Sequence, residues 1–173
     1  MGFGKAFLFS ILAFVGLNFI FTIIYFAIGP GIDILFNLIQ FYPILIIYYL
    51  FGSIISTPSI LFNWIITEPF LLSTMNNLIF GLGYLAALLI AAILAGRFGE
   101  SKSSSFGSWL LTASISTALI IIGAWLSPFF QNTLWLTYGW TLDMILILAI
   151  ISCLINVIFY GFFALLLSKV EYY

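Results

Sequence analysis

The sequence predicts an all-α fold, a polytopic bundle of helices that lies within a membrane. Of its 173 residues, 65% are hydrophobic and only 5% are charged, whereas a soluble domain carries about 25% charged residues. A soluble fold this poor in charge would leave too much apolar surface in water. We therefore expect a single transmembrane domain over residues 1–173 with six transmembrane segments, of which five are firm.

The five firm segments are apolar runs long enough to cross about 30 Å of hydrocarbon, which takes about 20 helical residues. The first, residues 6–28, ends at Gly29-Pro30-Gly31, a strong helix stop. The second, residues 32–55, contains Gln40 and Pro43 in its interior. The other three are residues 77–96, 106–126 and 144–168.

The sixth segment, residues 59–73, is apolar but short. Its 15 residues are typical of a re-entrant or interfacial helix. If it crosses, all four cations lie on one side, as the positive-inside rule requires; if it does not, Lys5 opposes Arg97, Lys102 and Lys169. We therefore favour a crossing, and expect a protein integral to a prokaryotic plasma membrane with both termini cytoplasmic.

Small side chains recur every fourth residue in two consecutive segments. Because lipid gives helices no hydrophobic reason to associate, close packing of small residues must hold them together. We expect an antiparallel pair whose hydroxyls bond across it or back to their own helix, although the ridge could instead pack against a partner subunit. The ridge residues are Gly83, Ala87, Ala91 and Ala95, followed by Ser108, Thr112 and Ser116.

Amides and one carboxylate interrupt the apolar segments. Each must find a partner in hydrocarbon. Two interpretations stay open: a polar cavity for a small neutral or cationic solute, or hydrogen bonds between helices. The candidate cavity residues are Asn18, Asn37, Gln40, Asn63, Glu68 and Asn156.

Glu68 is the acidic residue that span ends explain least. It precedes Pro69 and shares its segment with Asn63 and Thr67, so a broken helix there could form an ion or solute site. The alternative is a solvated carboxylate at the interface, with Trp64 as an aromatic anchor.

The other polar features at span ends have simpler interpretations. Asp33 and Asp143 precede apolar segments, where each is expected to cap a helix and complement its dipole. Residues 127–143 contain two tryptophans and a tyrosine. These rings suit a loop at the headgroup level, or alternatively a solute gate.

Composition also restricts the chemistry. The chain has no histidine and a single cysteine, Cys153, which excludes histidine-based catalytic relays and the common zinc and haem sites. Four dispersed cations do not form a nucleic-acid-binding patch.

We expect no enzyme activity, no metal and no cofactor, and a transport-related role as a small-solute transporter or a membrane component of one. The alternative is an accessory subunit of a larger membrane complex. The expected partners are lipid, other membrane subunits or further copies of the chain.

Overall fold

The computed structural model describes residues 2–73, 75 and 77–168, and this part of the chain is helical without a β-strand. The all-α prediction is confirmed. The helices are α1 (Gly2–Ile28), α2 (Ile32–Phe41), α3 (Leu45–Phe51), α4 (Pro58–Phe62), α5 (Leu78–Phe98), α6 (Lys102–Leu126), α7 (Pro128–Tyr138) and α8 (Leu142–Leu166). A 3-10 turn, Gly52–Ile55, continues α3, and a π-helix, Asn63–Leu71, continues α4.

Local sequence explains where the short helices begin and end. Gly31 follows the α1 stop with φ +111° and Gly139 ends α7 with φ +72°, conformations that favour glycine. Ser127 caps α7 by accepting a hydrogen bond from the Phe130 N–H at 3.3 Å, and Pro128 follows it at the first helical position.

Asp33 and Asp143 lie in the first turns of α2 and α8, but they are not caps. The cap positions are Gly31 and Thr141, and neither makes a side-chain cap hydrogen bond. The expected cap role is therefore wrong, although a negative charge in the first turn still complements the helix dipole.

Four helices, α1, α5, α6 and α8, are long and apolar enough to cross a membrane. The helix α5 runs antiparallel to α1, since the Phe9 and Phe98 rings stack at 4.2 Å near one end and Tyr25 and Phe80 meet at 4.2 Å near the other. These contacts define two ends of the bundle. We call them the Gly2 end, with Gly2, Phe98, Lys102 and Leu166, and the Ile28 end, with Ile28, Leu78, Leu126 and Leu142.

The helices α6 and α8 complete the bundle. The Ser108 hydroxyl donates to the Phe3 carbonyl at 3.1 Å, so α6 begins beside the start of α1 and runs parallel to it. The helix α8 runs antiparallel to α6 and parallel to α5. Gly96 at the end of α5 lies against the backbone of Ala164 at the end of α8, so both helices end at the Gly2 end.

The second expected span, residues 32–55, is not one helix. The chain breaks at Tyr42-Pro43, where proline lacks an N–H and disfavours helical geometry in the residue before it. The short helix α2 carries its exposed polar side chains at the Ile28 end. The chain then forms two arms, Leu45–Ile55 and Pro58–Leu71, that meet at 97°. We call residues 45–71 the re-entrant hairpin and residues 52–57 its tip.

The hairpin starts and finishes at the Ile28 end, because α1 ends there and α5 begins there. Its tip reaches Asn18, ten residues before the end of α1, where the Asn18 amide donates to the Ser53 hydroxyl at 2.9 Å. At about 1.5 Å per residue, the tip lies about 15 Å from that end, or about half the hydrocarbon thickness. The hairpin therefore enters the bundle and returns without crossing.

Four helices are thus long and apolar enough to cross, and the bent pair, which enters and leaves at the same end, adds no fifth span. The expected six is too many. The two expected crossings that are absent are residues 32–55 and 59–73. Because an even number of crossings is lost, Lys5, Arg97 and Lys102 still lie at the same end. Lys169 lies outside the described residues. The re-entrant alternative for residues 59–73 fits the geometry, whereas the charge argument for a crossing assumed that residues 32–55 cross.

The small-residue ridge is buried inside the bundle, with Ala87, Ala91 and Ala95 fully inaccessible. At Gly83, an added Cβ would overlap the ring of Phe21 in α1. On α6, the Thr112 hydroxyl lies 3.0 Å from that of Ser10 in α1 and donates to the carbonyl of Ser108. Ser116 bonds back to its own helix through the Thr112 carbonyl. The ridge hydroxyls of α6 therefore bond back to their own helix, as one alternative expected, and to α1. The nearby Ser105 hydroxyl lies 3.3 Å from the Gly96 carbonyl of α5, a contact across the pair as the other alternative expected.

Candidate functional site

Two of the expected cavity residues, Asn18 and Asn156, fasten the hairpin tip. Both are fully buried. Asn156 on α8 donates through its amide nitrogen to the carbonyls of Ile54 at 2.7 Å and Ser56 at 3.1 Å. Non-helical backbone at membrane depth is tolerated only where protein or water satisfies it. Asn156 therefore supplies the partners that the break between the two arms requires.

Two others, Asn63 and Glu68, lie on the second arm of the hairpin. The amide of Asn63 donates to Glu68 Oε1 at 3.5 Å, and the amide of Asn77, just before α5, donates to the same oxygen at 3.3 Å. The arm is a π-helix here and contains Pro69, an arrangement often found at functional sites.

The last two, Asn37 and Gln40, lie exposed on α2 at the bundle surface. The six residues therefore occupy three places: the hairpin tip, the second arm and the surface of α2. The structure does not bring them together in one cavity.

A cavity of about 210 Å³ lies elsewhere, between the hairpin arms, α1, α5 and α7 at the Ile28 end. We call it the aromatic cavity, since aromatic side chains form most of its wall. At about 30 Å³ per liquid water molecule, it has the volume of about seven waters. Its wall consists of Tyr25, Phe26, Tyr48, Tyr49, Trp64, Phe80 and Tyr84, with Asn77, Thr133 and Thr137 as polar members.

These rings form a continuous chain around the cavity. From Tyr48 the ring-to-ring distances are 5.8 Å to Tyr49, 5.7 Å on to Phe26 and 5.3 Å on to Tyr25. The chain continues through Tyr25–Phe80 at 4.2 Å, Phe80–Tyr84 at 5.7 Å and Tyr84–Trp64 at 6.0 Å. These separations are within, or for Tyr25–Phe80 just below, the range of about 4.5–7 Å in which aromatic rings attract one another. Each ring of the wall therefore packs against the next one.

The hairpin tip closes the ring chain. A Cβ added to Gly52 would come within 2.7 Å of the Tyr84 hydroxyl and 3.3 Å of the Tyr48 ring, so glycine lets both tyrosines meet the backbone. Tyr84 is 1% exposed. Its hydroxyl lies near Tyr48 but makes no hydrogen bond within normal distance and angle limits among the described residues. A buried unpaired hydroxyl is uncommon and calls for a partner.

A second cleft of about 320 Å³ adjoins the aromatic cavity and shares Trp64 and Thr137 with it. Asn63 and Tyr138 also line it. The Tyr138 hydroxyl pairs with that of Ser56 at 2.8 Å, which joins α7 to the hairpin tip. Glu68 is bonded to one lining residue of each cleft, Asn63 and Asn77, and so lies beside both.

Charge differs sharply between the two ends of the bundle. Among the described residues, every lysine and arginine lies at the Gly2 end, with Glu100 beside them. There the Gly2 backbone N–H donates to the Glu100 carboxylate and lowers the pKa of that group. The Ile28 end carries Asp33, Glu68 and Asp143. The aromatic cavity therefore lies at an acidic end.

The described residues contain no group of three histidine, cysteine or carboxylate side chains placed to hold a metal ion. Cys153 is a buried free thiol on α8, away from the aromatic cavity. Within residues 2–73, 75 and 77–168, the site therefore offers aromatic faces, hydroxyls, amides and one nearby carboxylate.

The sequence did not reveal the aromatic cavity because its wall comes from five separate elements: α1, α3, the second arm, α5 and α7. One local signal was present: the adjacent Tyr48 and Tyr49 in an apolar segment, whose hydroxyls require partners. A second signal is the four-residue spacing of polar and aromatic side chains along α1, which end at Phe26 in the cavity wall. The structure buries every member of this row: Gly2, Ala6, Ser10, Phe14, Asn18, Thr22 and Phe26. No family model, curated protein or solved structure matches this chain.

Proposed function

We propose that this membrane protein binds a small solute in the aromatic cavity and acts in its transport, without catalytic chemistry. The observation that carries the proposal is the chain of seven rings around a cavity of about 210 Å³, closed by the tip of a re-entrant hairpin. Binding sites are mostly apolar concavities with a few polar groups that fix orientation. Transport proteins commonly place such sites where helices are broken near the middle of the membrane.

The orientation belongs to the same proposal. Lys5, Arg97 and Lys102 support a cytoplasmic Gly2 end under the positive-inside rule, with the chain in a prokaryotic plasma membrane. The aromatic cavity then opens on the extracytoplasmic side, which suits a solute taken up from outside.

An accessory role in a larger membrane complex is the second candidate. It is favoured by Asn18 and Asn156, whose amides serve the hairpin and not a common cavity. Against it, the small-residue ridge is buried against the chain's own helices and is not free for a partner subunit.

Thiol labelling tests the proposal. In a Cys153→Ser background, single cysteines at Asn77 and Thr137 place a thiol on the cavity wall, and Ala91→Cys places a matched thiol in the buried ridge. In right-side-out vesicles, we expect a membrane-impermeant maleimide to label the first two and not the third. Complete protection of both wall positions in folded protein would refute a solute site and leave the accessory role.

Inverted vesicles extend the test to movement. Labelling of Asn77→Cys and Thr137→Cys from the Gly2 side as well would indicate alternating access within this chain. Labelling from the Ile28 side alone would indicate a binding component that passes its solute to a partner subunit.

A further inference from the structure

We infer that the aromatic cavity takes a small organic cation, an alkylated or quaternary ammonium compound with a hydrogen-bonding group. This inference rests on the proposed function and names its substrate class. It follows from the chemistry of the wall, the charge beside it and the volume.

The wall presents aromatic rings from several directions. The face of an aromatic ring is electronegative and attracts a cation within about 6 Å, and cages of such rings are a general means of holding quaternary ammonium groups. In this cavity, Trp64, Tyr84, Phe80 and Tyr25 follow one another at ring separations of 4.2 to 6.0 Å. Trp64 carries the indole, the ring type that binds cations best.

The charge beside the cavity has the matching sign. Glu68 Oε1 accepts a hydrogen bond from Asn77, which lines the cavity, and from Asn63, which lines the adjoining cleft. Among the described residues, no lysine or arginine lies at this end to oppose a cation. Charges of one sign around a cleft raise the local concentration of the oppositely charged solute.

The other solute classes fit less well. An anion would meet ring faces and carboxylates, both of which repel it. A wholly apolar solute would offer no hydrogen bond to the Asn77, Thr133 and Thr137 side chains that line the wall. A metal ion lacks a cluster of charged ligands among the described residues.

Volume sets the scale of the solute. A cavity of about 210 Å³ holds about seven nonhydrogen atoms at the volume of one water each. The side chains of Asn77, Thr133 and Thr137 on the wall are available to the polar end of such a solute, whose cationic end then lies against the rings near Trp64.

The experiment compares choline with its neutral isostere, 3,3-dimethylbutan-1-ol, on the full chain in lipid nanodiscs. The two probes share shape and hydroxyl and differ in charge. Binding is measured by calorimetry and by tryptophan fluorescence. We expect choline to bind at least tenfold more tightly. Equal binding of the two would overturn the cationic class and leave solute binding in place.

Variants assign the contacts. We expect Trp64→Leu to weaken choline binding at least tenfold, and Trp64→Phe, which keeps a ring and the packing, to weaken it less. Glu68→Gln should weaken choline binding about three- to tenfold and leave the neutral isostere unchanged. Trp135→Leu, on the exposed face of α7, is the control and should change neither. Equal loss of both probes in Glu68→Gln would contradict a role for its charge.

Absence of choline binding would also overturn the inference. Thiol labelling then shows whether the cationic substrate class alone is wrong or the solute site itself is wrong. If Asn77→Cys and Thr137→Cys are labelled by the impermeant maleimide but choline neither binds nor slows labelling, the cavity is open and the cationic class is wrong. If both cysteines are fully protected, the solute site itself is wrong.

Discussion

Replacing Asn156 by leucine removes the two hydrogen bonds that hold the hairpin tip to α8. Leucine has nearly the same shape, so the change removes polar partners without opening a large cavity. The carbonyls of Ile54 and Ser56, at 2.7 and 3.1 Å from the amide nitrogen, would then be buried without it. Each unsatisfied buried group costs about 1–3 kcal/mol, which gives a gross loss of about 2–6 kcal/mol.

The average hydrogen bond between membrane helices contributes less, about 0.6 kcal/mol, because the unfolded chain in the membrane finds other partners. That average covers side chains on unbroken helices, whereas these two carbonyls belong to a helix break. Since the structure around a substituted site relaxes in part, we expect a net destabilisation of about 2–4 kcal/mol. At about 2–4 °C per kcal/mol for a chain of this size, the Tm falls by about 4–16 °C.

The assay is thermal unfolding in nanodiscs, followed by tryptophan fluorescence, with two graded controls. Asn18→Leu removes a bond to a hydroxyl, Ser53 Oγ, and one to a carbonyl already within α1, so its effect should be smaller. Ser116→Ala removes only a bond back to its own helix and should shift the Tm least. If Asn156→Leu is as stable as the unmodified chain, or no less stable than Asn18→Leu, the reasoning about the helix break is refuted.

Three further results are expected from the same unfolding assay. Gly96→Ala should destabilise by about 1–3 kcal/mol through overpacking, because the new Cβ would lie 2.5 Å from the rigid Ala164 carbonyl oxygen; an unchanged Tm would contradict that contact. Gly16→Ala, in mid-α1 with nothing within 4 Å of the new Cβ, should stabilise by about 0.4–1 kcal/mol, and a loss of stability would show a hidden contact. Since the Gly2 N–H lowers the pKa of Glu100, that carboxylate stabilises the fold above its unfolded pKa of about 4.3 and stops doing so as the pH falls through its lower folded value. Glu100→Gln should therefore lose less stability in acid than the unmodified chain, and parallel Tm profiles of the two would contradict the contact.

The long apolar runs predicted the spans well. The segment predicted at residues 77–96 is α5 at Leu78–Phe98, and that predicted at 106–126 is α6 at Lys102–Leu126. The prediction succeeds because the length and apolarity needed to cross a membrane are local properties of the chain.

The hairpin could not be predicted in the same way. Pro43 was visible, but a proline is compatible with a kinked span as well as with a full break. The choice depends on Asn18, 25 residues earlier, and Asn156, more than 100 residues later, which satisfy the tip. Hydropathy is an average over neighbouring residues and contains no information on hydrogen-bond partners that are distant in the sequence. The aromatic cavity was missed for the same reason.

The bond between Asn156 and the hairpin tip also sets an order for assembly in the membrane. The last described helix supplies the partners for backbone groups near residue 55, which are too costly to bury unpaired in lipid. While the chain is being made, the hairpin must wait at the membrane surface or pair elsewhere until α8 has been inserted. The aromatic cavity, whose floor is that tip, is therefore completed only when α8 arrives, so a chain truncated before α8 would keep its earlier spanning helices but lack a finished cavity.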